Sequence, residues 1–431
     1  MNLEEALQIM RMMAKLSAVL LLLVAVAFPL SGADAAQRQV VLFYNWYGSE
    51  GFDELTLALV DEFERIHPEI DVELVRGGTV DGRSPNDRLL AAVAAGTAPD
   101  VVHFERSIVI EFAAKGLLTP LGRLIPGVEE AFIPGAVQEV VYKGEVYGIP
   151  SGTDIRGLFW NQADFASAGL DEARGPASMD ELDALAAKLT RANAEGGFDK
   201  VGFVPWLGNW YAVGWLYTFG GDIYDAENNR PRVNTENHVR AFEWIREYGQ
   251  RFPYDVVTAA ISGKSPNTFY NQTVSMIAHW NGWANLVRQA DPNISFWVGE
   301  VPHPAYGTNG TWLGGQAYVI PSAARNLTDA VSLLNWLTRE EVEVELYREG
   351  TRIPTRWTAL ERIRDELAPT DALLLAQADV AWGRPPLWFP PFYNRTTEAM
   401  VKVARLEEAP PAALDEAQRL LEIEFAEILG D

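Results

Sequence analysis

Three short runs decide how this chain folds: VVLFY at Val40 to Tyr44, IDVELV at Ile70 to Val75, and VVHF at Val101 to Phe104. The first is continuously apolar, as expected of a strand buried on both faces of a sheet, and the second alternates. Between them, Leu55, Leu59 and Phe63 recur at helical spacing, so Phe52 to Ile66 is predicted helical. Ser49 is its candidate N-cap and His67-Pro68 its stop. Ser84-Pro85 opens a second helix that Gly96 ends, and a third helix closes at Gly116. Strand, helix, strand, helix, strand is the signature of a parallel, doubly wound α/β sheet. Ligands of such sheets lie beyond the carboxyl ends of the strands. Here those ends carry Asn45-Trp46-Tyr47-Gly48, Arg76-Gly77-Gly78 and Glu105-Arg106-Ser107.

Outward from these strands, the 431 residues divide into two or three compact units at ordinary domain sizes. A second α/β pattern begins after Pro150-Ser151-Gly152, with strand-like Gly157 to Trp160 and a helix from Asp180 to Ala194. Residues 365–431 read as mostly helical, interrupted at Gly383 to Pro391 (GRPPLWFPP). Upstream, Arg11 and Lys15 precede an apolar stretch from Leu16 to Leu30, followed by Ala33-Asp34-Ala35-Ala36. This is the layout of a secretory signal, so residues 1–36 are expected to be removed on export. The chain has no cysteine, which excludes disulfides, thiolate metal sites and a lipid-bearing cysteine after the apolar stretch. Its net charge of −24 argues against nucleic-acid binding, which needs clustered Lys and Arg. A soluble periplasmic or secreted monomer is expected.

Fourteen tryptophans are present, several beside small polar residues that favour turns. Trp46 adjoins Tyr47 and Gly48, Trp206 and Trp210 flank Gly208-Asn209, Trp280 and Trp283 bracket Asn281-Gly282, and Trp312 leads into Gly314-Gly315. Turns lie at the surface, and an exposed indole suits the C–H face of a sugar. These rings are therefore expected to be platforms, whereas Trp215, Trp244 and Trp336 sit in helical patterns and are expected to be structural.

Six segments, in order from Gly96 to Arg356, resemble a known family. Gly96-Thr97-Ala98-Pro99-Asp100-Val101 is similar to its G-x-x-P-D-hydrophobic segment, and Tyr147-Gly148-Ile149-Pro150 with Leu158-Phe159-Trp160-Asn161 to its YGIP…LFYN crossover. Phe165 to Leu170 matches F-x-x-A-G-L, Phe219-Gly220-Gly221 matches F-G-G, and Trp312 to Gly315 matches W-x-G-G. Gly350 to Arg356 is similar to G-x-x-P-x-R. The family is the extracellular solute-binding proteins of ABC importers, in the sugar-binding class that includes maltose- and trehalose-binding proteins.

The resemblance implies a two-lobed, hinged periplasmic-binding-protein fold of type II, each lobe a mostly parallel sheet flanked by helices. Residues 37–151 plus about 306–353 would form one lobe, and about 152–305 plus 354–431 the other. Crossings would fall at Ser151 to Arg156, Pro302 to Thr311 and Pro354 to Trp357. A carbohydrate would bind in the cleft and pass to permease subunits in the membrane, with no cofactor or metal. By position, the implied contacts are Trp46, Tyr47, Glu50, Glu105, Asp154, Trp210, Trp280, Trp283, Trp312, Gly314 and Arg356. A carboxylate such as Glu105 or Asp154 would accept two sugar hydroxyls, and Arg356 would donate a planar fork.

Arg76, Arg106 and Arg156 make the region more basic than a neutral sugar requires. They either pair with carboxylates or bind an anionic sugar such as a glycerol phosphate, uronate or sulfonated sugar. A secreted glycoside hydrolase would also use carboxylates and aromatic platforms. No segment juxtaposes two acids at a strand end, and G-x-S-x-G, H-E-x-x-H and the phosphate-loop motif are absent. An adhesive sugar binder would show β-sandwich repeats, and none is present.

Overall fold

The computed structural model describes residues 38–44, 50–76, 85–261, 269, 271–349 and 352–429. The expected signal segment, the Ser49 and Ser84 caps, and the Trp46 and Tyr47 contacts lie outside these residues; Glu50 is described only as the first residue of a helix.

The opening βαβαβ unit forms where the apolar runs place it. Strand β1 is Arg38–Tyr44, helix α1 Glu50–Ile66, β2 Ile70–Arg76, α2 Pro85–Ala94 and β3 Val101–Glu105. Both β2 and β3 pair with β1 in parallel, so β1 is central. The following helix at Val109–Ala114, α3, ends just before Gly116, whose φ of +68° is open to glycine without strain.

One long strand then joins two parts of the molecule. Strand β4, Ile149–Asn161, contributes Ile149 to the core around β1 and β2, and Ile155, Leu158 and Phe159 to a second, larger core. Its later partners are β5 (Met276–Trp280), β6 (Phe296–Gly299) and β7 (Leu313–Val319), all antiparallel to it. Strand β7 also pairs antiparallel with β3, completing a seven-stranded sheet.

Around β4 the pairing is thus antiparallel, while the far side of β5 takes a parallel bridge, Val201 to Val274, of the kind expected. The cause is the crossover: β5 and β6 run the same way, and β4, arriving from the first core, threads between them in the opposite sense. Helices supply most of the second core. Helix α4 (Tyr211–Gly220) packs on α5 (Glu236–Arg251), and both pack on α6 (Tyr393–Ala404), with α7 (Pro410–Leu429) behind. The residues 383–391 that interrupt the helical pattern lead into α6. No helix among the described residues is long and apolar enough to cross a membrane.

Candidate functional site

The site is built where β4 passes between the two cores. Asp154 lies between Ile149, in the first core, and Ile155, in the second. Register sets it opposite Gly314 of β7, and the next residue pair joins Thr153 to Ile353 of a third crossing segment. Gly314 is required there by close approach: a Cβ would lie 2.4 Å from Asp154 Oδ1. Its N–H donates to that same oxygen at 2.8 Å.

Asp154 is also held by two guanidiniums. Arg156 Nη1 donates to Oδ1, and Arg352 Nη1 to Oδ2 at 3.4 Å. Burial pushes this carboxyl's pKa up, but the Arg156 and Arg352 charges more than reverse that and leave it at about 2. Arg156 is in turn fixed by Asn209 Oδ1 at 2.9 Å and lies over the Trp312 ring, 3.3 Å from its centroid. Asn209 Nδ2 donates to the Tyr211 hydroxyl at 2.6 Å, and Tyr211 meets Tyr393 edge to face at 4.9 Å. Tyr211 holds φ at +59°, in the left-handed region that a non-glycine residue adopts only at some cost.

Beside Asp154 opens a cleft of about 360 Å³, lined by Trp280, Asn281, Tyr347, Arg352 and Asp371 among others. Trp280 is half-buried, so an aromatic face and a charge-assisted acceptor stand together. Asn281 donates to Asp371 Oδ1 at 3.2 Å and also accepts from the Ile155 N–H, which ties this wall to β4. Burial raises the Asp371 carboxyl above its ordinary range.

Not every expected residue faces this cleft. Trp210, Trp283 and Trp312 are buried, where exposed platforms were expected. The small polar neighbours do not mark surface turns throughout: Gly314-Gly315 lie in the fully buried strand β7 and Asn281 is buried, so these rings pack inward. Trp210 fills the space that Gly214 leaves, Trp283 stacks on His279 at 4.3 Å, and Trp312 lies between Arg156 and Trp388. Trp215, Trp244 and Trp336 are structural as expected, each donating its indole N–H internally, to Pro205 O, Asp183 and Leu59 O.

Arg356 also departs from its expected place. Its guanidinium donates to Thr338 O at 3.0 Å and lies over Phe132, while Glu343 accepts from its N–H. It fastens the third crossing segment, and the arginine beside Asp154 is Arg352. The segment TRIPTR holds both, and only the Thr153–Ile353 bridge distinguishes them.

Glu105 does not stand free at the end of β3. Its carboxylate takes Arg384 Nη1, and Arg384 also pairs with Glu139 at 2.8 Å. Arg106 pairs with Glu139 at 3.2 Å and donates to Gly314 O at 2.8 Å and Gly152 O at 3.3 Å. Arg106 thus takes the carboxylate-pairing course open to it in the sequence. The Arg76 side chain is outside the described residues. Neither Glu139 nor Arg384 is marked in the sequence by a motif, since their meeting spans 245 positions.

Residues 49–344 match the model of the bacterial extracellular solute-binding protein family. The chain belongs to this family. Its members here include an uncharacterised lipoprotein encoded 5′ of oleD in Streptomyces antibioticus, 31% identical over 80% of this chain and 76% of that protein. A maltotriose-binding protein of Pyrococcus abyssi is 22% identical over 71% of this chain and 64% of its own. Among solved structures, CpMnBP1 with mannobiose bound superposes with a TM-score of 0.74 at 24% identity, over 90% of this chain and all of that one. That likeness shows the fold: a two-lobed solute-binding protein.

Proposed function

We propose that this family member is the extracytoplasmic binding component of an ABC importer, taking up a mono- or oligosaccharide and handing it unchanged to a membrane permease. The observation that carries the reading is the cleft at Asp154, on the strand shared by the two cores. It joins a fixed carboxylate, the Arg352 guanidinium and the half-buried ring of Trp280. The maltotriose and mannobiose bound by similar proteins support a sugar as occupant. We assign residues 37–151 and about 306–353 to one lobe and about 152–305 and 354–431 to the other, as a monomer exported by the leader in residues 1–36. A ligand touching both lobes favours the closed form only by its better binding to that form.

Thermal-shift and calorimetric titration with maltotriose, mannobiose and tagatose test this. A hundredfold excess over Kd stabilises the folded form by about 2.7 kcal/mol. A shift with none of these sugars, or cleavage of a bound sugar over hours, overturns the reading.

A second reading is an anionic sugar, held through Arg352, whose guanidinium lines the cleft beside Asp154. Tighter binding of glycerol 3-phosphate than of any neutral sugar decides for it.

A further inference from the structure

A second cavity, of about 530 Å³, is walled by residues 110–144 on one side and by residues 217–229 and 382–386 on the other. It shares no described lining residue with the cleft at Asp154. Its inner wall is aromatic. Tyr217 and Trp382 stack with centroids 5.0 Å apart and planes within 9°, and the half-buried rings of Tyr142 and Tyr224 stand nearby.

Its rim is acidic. Glu129, Asp222 and Glu227 are exposed, and none takes part in an ion pair among the described residues. Of the two cations on the wall, Arg384 is neutralised by Glu139 and Glu105. The other, Lys143, holds its ammonium 5.2 Å from the Tyr142 ring centroid. Three carboxylates therefore face one uncompensated cation, and that cation already rests on an aromatic face. Burial, with smaller contributions from Tyr142, Asp225 and Asp222, pushes the Tyr224 phenol up to about 12.

We propose that this cavity is a second binding site, for a small organic cation whose ammonium group sits among the rings of Tyr142, Tyr217 and Trp382 and is balanced by Asp222 and Glu227. Ring faces attract a desolvated ammonium through their quadrupole, and the surplus carboxylates exclude anions. A neutral molecule of the same shape gains only the apolar contact.

Calorimetry on the purified exported protein tests the site, with choline and 1,4-diaminobutane as probes and 3,3-dimethylbutan-1-ol as the uncharged isostere of choline, at constant ionic strength. At least one cation is expected to bind, and the isostere at least tenfold more weakly than choline if choline is the one. The double variant Asp222→Asn, Glu227→Gln, whose side chains are exposed, is expected to lose at least tenfold in cation affinity. Tyr142→Leu should lose at least threefold. Both variants should keep the parent's melting temperature and sugar affinity, and Trp280→Ala should keep the parent's cation affinity. Silence with both cations, equal binding of choline and its isostere, or an unchanged double variant overturns the proposal. Loss of cation binding in Trp280→Ala also overturns it, by placing the cation in the Asp154 cleft.

Discussion

At Asp154 one carboxylate accepts from a backbone N–H and two arginines, which orients the arginines as much as it offers an acceptor to a ligand. Trp280→Ala removes the exposed ring face without disturbing that arrangement. It should weaken sugar binding at least tenfold in calorimetry while leaving the melting temperature within a few degrees. A second residue-scale effect comes from histidines. Burial lowers His103 and His279 to about 3 and His238 to about 4, from an ordinary 6.5. In the folded state all three are neutral where the unfolded chain would protonate them. Their contribution to stability is complete above about pH 6.5 and falls as pH drops toward 4. Melting temperature should therefore decline steadily from pH 7 to pH 5, and a flat profile would contradict these placements. The position of Asp154 was legible from the crossover that follows Pro150-Ser151-Gly152, whereas Tyr211 was not, because a positive φ is signalled by glycine or asparagine and not by tyrosine.

At the scale of elements, the opening βαβαβ unit was readable because its apolar runs and helical spacing are local. The antiparallel half was not, since β5, β6 and β7 find β4 only after intervals of more than a hundred residues. The same holds for the charge cluster that pins β3, β4 and β7 to the 383–391 segment. Glu139 is buried between Arg106 and Arg384, so Glu139→Leu leaves two guanidiniums short of their partner. The cost should be about 3–5 kcal/mol of unfolding free energy, read from urea titration of the first transition. Adding Arg384→Met should restore part of that loss, because a missing pair is tolerated better than a stranded charge.

For the whole molecule, the ordered run of six short motifs carried the two-lobed architecture, while the tryptophan grouping misled at Trp210, Trp283 and Trp312: glycine and asparagine neighbours also occur in buried strands such as β7, where they allow close packing. Small-angle scattering should show the radius of gyration falling when the preferred sugar is added, and falling less for Trp280→Ala at the same concentration. An unchanged radius with saturating ligand would mean that the lobes do not close on it.

The strand shared by both cores also bears on how the polypeptide is made. Arg106 waits for the carbonyl of Gly314, 208 positions later, and β3 for β7. At translation rates of about 5–20 residues per second, roughly 10–40 s separate the synthesis of these partners. During that interval the β3 edge has no β7 to pair with, and the first sheet is incomplete.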